Sequence, residues 1–265
     1  MIVCIESCIG GGKGFFLKYL STYARWAWPE MSHSLVLLDD SATHMTEFSS
    51  DRPRWAMLAQ LSALLQHAVA QRPSSPPPPL DSASASAPSP LPSAPASASA
   101  SAPSPLPSAS ASAPSPLPSA SASLVLVEGS LFTDFRCSAK RWRAMGLLAP
   151  EEFRIVEDWY EIAVAAGARR DAVVYLDNDV HAHFERVVAN SKREQAWISA
   201  AHLADMKRDY DATLSRESTP TLFIPCAPNF EDNEPELLAM AETTVDFLKK
   251  VHLRRLHGAP EGTRR

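Results

Sequence analysis

The chain has 265 residues, 45% hydrophobic and 21% charged, enough for one sizeable core. A net charge of −5 argues against a surface built for nucleic acid or an anionic membrane. Cys4, Cys8, Cys137 and Cys226 lack zinc-binding spacing and read as reduced thiols of an intracellular, reducing compartment.

Met1 runs directly into the apolar, β-branched segment Ile2, Val3 and Ile5, which reads as a buried parallel strand. No basic leader or long apolar span precedes it. Secretion and membrane insertion are therefore not expected; the cytoplasm is, with mitochondrion and nucleus left open. Gly10, Gly11, Gly12, Lys13 and Gly14 follow, and Phe16, Leu20, Tyr23 and Ala27 then mark a helix with one apolar face. Strand, glycine loop, lysine and helix form the layout of a phosphate-binding loop. Backbone N–H groups and the helix N-terminus face an anion there, and the lysine adds a full charge. The fit to G-x-x-x-x-G-K-[ST] is incomplete: Ser7 stands at the first glycine, and Gly14 at the hydroxyl residue that holds Mg²⁺. The competing reading is a plain glycine-rich turn opening a helix.

Leu35 to Leu38 read as a second strand ending at Asp39 and Asp40. Acids at that end lie on the ligand-binding edge of an open α/β sheet, although a helix cap explains one isolated acid equally well. Pro53 opens a helix from about Arg54 to Ala70. One face carries Trp55, Leu58, Ser62 and Leu65; another carries Gln60, Leu64 and His67. Gln60 is either an internally paired polar residue or a pocket residue offering donor and acceptor together.

Residues 73–122 collapse to Ser, Ala, Pro and Leu, with APSPLPSA beginning at Ala87, Ala102 and Ala113. Such composition cannot offset its chain entropy by burial, so a disordered surface-loop insertion is expected.

Leu124 to Val127 give a third strand with Glu128 at its carboxyl end, and a polar helical stretch follows to Met145. Pro150 starts a helix with Phe153, Val156, Trp159, Tyr160 and Ala163 on one face. Ala172 to Leu176 form a fourth strand, and Asn178 or Asp179 caps a helix turning Val180, Phe184 and Val187 or Val188 inward. Ser199 restarts a helix through Leu203, Met206, Tyr210 and Leu214. Leu222 to Ile224 are a fifth strand, and a last helix spans about Glu234 to Val251 before a frayed basic tail. The alternation predicts an α/β fold, a parallel sheet with helices on both faces and right-handed crossovers.

Several of these stretches, taken in order, resemble the deoxynucleoside kinase family, which includes deoxycytidine, deoxyguanosine and mitochondrial-type thymidine kinases and viral relatives. IESCIGGGKG resembles the family's I-E-G-N-I-G-S-G-K-[ST]. WAMLAQ, Trp55 to Gln60, resembles W-x-x-x-x-Q, and EGS at Glu128 to Ser130 stands where the family has E/D-R-S. EDWY at Glu157 to Tyr160 also fits, and HFERV with KREQ resembles the lid helix and lid.

The resemblance implies a three-layer P-loop kinase fold with a five-stranded parallel sheet. The kinase domain would occupy 1–72 and 123–255, split by the 73–122 insertion, with a flexible tail at 256–265. It implies transfer of the ATP γ-phosphate to the 5′-hydroxyl of a deoxynucleoside, with Mg²⁺, by a homodimer. Lys13 and Gly10 to Gly14 would hold the ATP phosphates, Asp40 would orient the 5′-hydroxyl and Glu128 would hold Mg²⁺. Lys192 and Arg193 would close over the transferring group. Trp55, Gln60 and Asp134 would line the base site, and Gln195 would meet the sugar. An acid at Asp134 resembles the deoxycytidine-type pattern, whose partner arginine falls near His67; the base preference stays open.

Three departures stand out. Gly14 lacks the hydroxyl, Gly129 replaces the arginine of E-R-S, and Val188 and Asn190 occupy two lid arginine positions. A catalytically weak or inactive relative that binds nucleoside or nucleotide, or acts as an interaction protein, is therefore the alternative. A different phosphate-loop kinase, such as a nucleoside monophosphate kinase, fits Gln60 and the EGS placement less well.

Overall fold

A computed structural model describes residues 1–36, 45–71, 123–189, 197–227 and 230–257. Five parallel strands form one sheet in the order β2-β3-β1-β4-β5: β1 (Ile2–Glu6), β2 (Ser32–Val36), β3 (Ser123–Glu128), β4 (Ala172–Asn178) and β5 (Thr221–Cys226). β1 is central, which explains why every residue of IVCIE is buried: it packs on both faces. The chain builds the β2–β3 side first and then crosses to β4 and β5. The carboxyl end of β1 thus lies where the strand order reverses, the place where open α/β sheets bind ligands.

One face carries α1 (Lys13–Ala27) and α9 (Glu234–Leu256). Phe16, Leu17 and Leu20 of α1 meet Val3, Ile5, Leu126 and Val174 of the sheet and Leu248 of α9 in the main core. Each such side chain contributes about 1.5–3 kcal/mol on full burial. On the other face lie α3 (Arg52–Ala70), α6 (Pro150–Ala165) and α8 (Ala200–Leu214). Between β3 and α6 the chain winds as α4 (Leu131–Thr133), a π-helix (Asp134–Ala139) and α5 (Lys140–Ala144). α2 (Met45–Ser50) precedes α3, and α7 (Val180–Ala189) follows β4.

Local chemistry sets the helix starts. Asp51 accepts from Arg54 N at 3.4 Å ahead of Pro53, and Asp179 accepts from His181 N at 2.8 Å. Ser199 and Asn233 cap α8 and α9 in the same way.

Several expectations shift. β2 is hydrogen-bonded from Ser32, earlier than its apolar run, because the ladder to β3 uses backbone alone. The buried face of α3 is Ala56, Ala59, Gln60, Leu64 and His67; Leu58 and Leu65 face outward. Trp159 of α6 is 50% exposed rather than inward, while Val156 is buried. Val187, not Val188, is the buried member of its pair, and α9 continues past Val251 to Leu256. The 73–122 insertion and residues 258–265 lie outside the described residues. All four cysteines are buried free thiols. Among the described residues no helix is long and apolar enough to cross a membrane.

Candidate active site

The glycine loop leaves β1 at Ser7 and enters α1 at Lys13. Gly10 and Gly12 adopt φ of 79° and 76°, the left-handed region that glycine enters without steric cost. Gly11 has a different reason to be glycine: a Cβ there would overlap the Ser7 hydroxyl and lie 2.9 Å from His183 Nε2. A Cβ on Gly10 would lie 2.7 Å from Val187, so the loop is packed directly against α7. The Ser7 hydroxyl donates to Leu176 O at 3.0 Å and sits 3.5 Å from His183 Nε2. Asn178 donates to Gly11 O at 3.3 Å. Lys13 Nζ is folded back onto the loop, donating to Ser7 O at 3.1 Å and Cys8 O at 3.4 Å.

His183 is buried, and burial, reinforced by Lys13 and Arg186, lowers its pKa to about 4. It therefore sits neutral beneath the loop at neutral pH. Burial pushes the Cys8 thiol up to about 11 despite Lys13 nearby, so it is not a thiolate nucleophile. Arg186 of α7 donates to Asn178 Oδ1 at 3.3 Å and lies 4.6 Å above the Phe230 ring. The sequence placed His183 and Arg186 in HFERV, the stretch resembling the lid helix, but gave neither a role of its own. The visible signal was a His and an Arg spaced i, i+3 on one helix beside the loop.

Glu128, half-buried, ends β3 beside the loop. A Cβ on Gly14 would lie 3.3 and 3.5 Å from its two carboxylate oxygens. Glu128 thus stands beside Gly14, and Glu231 stands beside Gly12, where a Cβ would lie 2.5 Å from Glu231 Oε1; Gly14 itself offers no hydroxyl. Among the described residues no group of three His, Cys, Asp or Glu is placed to hold a metal. One carboxylate fits Mg²⁺, which keeps waters and takes phosphate oxygens rather than filling an all-protein cage.

The second part of the site lies across α3 and the β3–α4 turn. Gln60 is buried, and its amide donates to Asp134 O at 3.2 Å. His67, two turns along the same face, places Nε2 2.8 Å from the Asp134 carboxylate. Burial disfavours the charged imidazole, but the charge and hydrogen bond of Asp134, with the charge of Glu6, outweigh it and hold His67 above its ordinary pKa. Gly129 has φ 70°, and a Cβ there would lie 3.1 Å from His67 Cε1. The arginine expected from E-R-S would thus be strained by that φ and would need His67 to give by a few tenths of an ångström. Trp55 packs half-buried beside Phe48, Ala56 and Trp142. Lys13, Gly10 to Gly14, Glu128, Trp55, Gln60 and Asp134 are all described. Asp40, Lys192, Arg193 and Gln195 lie outside the described residues.

A family model described as deoxynucleoside kinase matches residues 111–249. No curated protein matches. Among solved structures, deoxyadenosine kinase from M. mycoides with bound dCTP superposes with a TM-score of 0.60 at 10% identity, covering 94% of this chain and 100% of that one. The same enzyme with dCMP and a flexible dCDP gives 0.58 at 10% identity, covering 95% and 100%. At that identity these structures show a shared fold, the predicted sheet flanked by helices. The family model spans just over half of the sequence, and this chain belongs to the deoxynucleoside kinase family.

Proposed function

We propose that this protein transfers the γ-phosphoryl group of ATP to the 5′-hydroxyl of a deoxynucleoside. The observation that carries this reading is one sheet edge with two unlike halves. A lysine-headed glycine loop stands beside Glu128, and the Gln60–His67–Asp134 cluster joins α3 to the turn that follows the same strand. Phosphoryl transfer requires positioning and charge stabilisation more than covalent chemistry, and the two halves divide those tasks. Lys13 and the loop amides hold phosphate, and the start of α1 adds its positive end. Gln60 and Asp134 hold the base, with Trp55 behind them. Asp40 takes the 5′-hydroxyl proton, Lys192 and Arg193 cover the phosphates, and Gln195 meets the sugar. Glu128 would hold Mg²⁺, which when bound neutralises charge on the transferring phosphates.

The test is a phosphorylation panel with purified protein, ATP, Mg²⁺ and the four natural deoxynucleosides, read as 5′-monophosphate. At least one is expected to be phosphorylated. If none is, while nucleoside still binds, the second reading stands: a binding protein with impaired chemistry. Gly14, Gly129 and the inward fold of Lys13 are what favour it.

Gly14→Ser separates the two readings further. Gly14 lies outside the left-handed region, so a serine backbone fits, and its Cβ needs a shift of only a few tenths of an ångström from Glu128. Turnover is expected to rise about tenfold or more, toward the roughly 10²–10³ that one electrostatic stabiliser is worth, with ATP affinity changed by less than about threefold. Unchanged turnover in an active parent would mean that Glu128 suffices and the glycine is no handicap.

The homodimer is proposed at the outer face of α3 and α6. Leu61, Leu65 and Val69 line an apolar groove there with Trp159 and Ile162, and Val69 is 67% exposed. Surfaces of this kind mark association sites. Leu65→Glu with Ile162→Glu is expected to give monomers by sedimentation at concentrations where the parent is dimeric. A dimer that survives both charges places the contact elsewhere.

A further inference from the structure

Behind the acceptor half of the site runs a chain of buried charges that no step above uses. Glu6 closes the central strand, and its side chain is 1% exposed. One carboxylate oxygen accepts from the Thr133 hydroxyl at 2.8 Å and lies 3.7 Å from Arg170 Nη1; the other, buried, has no hydrogen-bond partner among the described residues. Arg170, 2% exposed, precedes β4. It donates to Ser130 Oγ at 2.8 Å, pairs with Glu217 and lies 4.8 Å from the Phe132 ring. Glu217 in turn pairs with the half-exposed Arg136 at 2.5 Å. Three of these contacts end on one short turn, at Ser130, Phe132 and Thr133. That turn is closed on itself, because Ser130 Oγ also accepts from Thr133 N at 3.3 Å. Asp134 is its next residue.

A buried ion pair is weak evidence for stability, since apolar replacements of similar volume are often neutral or stabilising. Burial raises the Glu6 carboxyl above its ordinary pKa, with Arg170 and the hydroxyls of Ser130 and Thr133 countering it. The arrangement is therefore costly where a leucine would pack. What it does provide is direction. Two charged groups, one ending β1 and one just before β4, grip both hydroxyls of the turn that launches Asp134 toward His67 and Gln60. Charge-assisted hydrogen bonds of this kind hold geometry more firmly than neutral ones.

We infer that Glu6 and Arg170 are positioning residues for nucleoside recognition, fixing the Ser130–Thr133 turn so that Asp134 meets the base. The inference rests on the deoxynucleoside reading above and adds to it a support outside the contact shell. The phosphate loop shares none of these hydrogen bonds, so the effect should be confined to one substrate.

Thr133→Val removes the link from Glu6 while keeping shape, and Thr133→Ser keeps the hydroxyl. Glu6→Gln removes the charge at equal size. By calorimetry, Thr133→Val and Glu6→Gln are each expected to weaken deoxynucleoside binding about tenfold, the scale of one hydrogen bond to a charged group, with ATP binding within twofold of the parent. Thr133→Ser should restore the parent value, and the Glu6→Gln/Thr133→Val pair should cost less than the sum of the two single changes, since both act on the Glu6–Thr133 bond. If Glu6→Gln does not fold, the valine–serine comparison decides alone. Nucleoside binding unchanged by Thr133→Val, or nucleoside and ATP binding falling together, would overturn the inference. A parent that binds ATP but no deoxynucleoside would instead defeat the substrate reading. In that case amide exchange across residues 131–137 still decides: faster in Thr133→Val than in Thr133→Ser supports the positioning role, and equal rates refute it.

Discussion

Lys13→Ala should bring ATP binding down by roughly 100-fold or more, near the upper end for loss of a hydrogen-bonded charge. The loop amides and the start of α1 remain in the variant, so weak anion binding should persist. Stability should change little. Cys8 O keeps its bond from Gly11 N at 3.1 Å, and only Ser7 O loses a donor. Calorimetric titration with ATP, beside a melting curve, reads both quantities. ATP bound as tightly by Lys13→Ala as by the parent would show that this loop is not a phosphate site. A variant that neither binds nor folds would assign Lys13 a structural role instead.

Acid should destabilise the protein through His183. Its folded pKa of about 4 lies below the ordinary imidazole value of about 6.5. Between those values the unfolded chain takes up the proton and the folded chain does not. Stability should therefore fall as pH drops from about 6.5 toward 4, by up to about 3 kcal/mol from this residue, and fall no further from it below pH 4. The physical cause is burial beneath the glycine loop, with Lys13 and Arg186 adding like charge. His183→Asn should lower stability somewhat at neutral pH and flatten the acid limb. Urea midpoints of parent and variant at pH 7 and pH 4.5 isolate this contribution from titrating carboxylates. An identical pH dependence in both proteins would place the acid sensitivity elsewhere.

The sheet and its loop were legible because short apolar runs bounded by glycine and charge have few alternatives. Ile2 to Ile5 followed by five residues of glycine and lysine allows a strand and a turn and little else. The order of the motifs carried the family, although each was imperfect alone. The face of α3 was not legible. Trp55, Leu58 and Leu65 are as regular a stripe as Gln60, Leu64 and His67, and only the bonds to Asp134 decide which is buried. Trp159 misled for the same reason, since an apolar stripe does not say whether it meets its own core or a second surface. Glu6 had a sequence signal, a charge closing an otherwise apolar buried strand, but its partner Arg170 lies 164 residues away and nothing local connects them. Gly129 illustrates the converse case. The sequence revealed the missing arginine, while the positive φ and the nearness of His67 at that position are purely three-dimensional facts.

The π-helix at Asp134–Ala139 bears on how this site can change over generations. A stretch bonded five residues ahead holds one more residue than an α-helix of the same span, and such turns recur at functional sites. It is anchored on both sides: Ser130 caps α4 just before it, and Trp142 beyond it stacks on Phe48 with ring centres 4.3 Å apart. Length gained between fixed anchors is absorbed as a wider coil instead of being passed on to the sheet. The residue that opens the coil, Asp134, can therefore be exchanged or re-aimed by changes within those six positions while the strand behind it and the aromatic stack ahead of it stay in register.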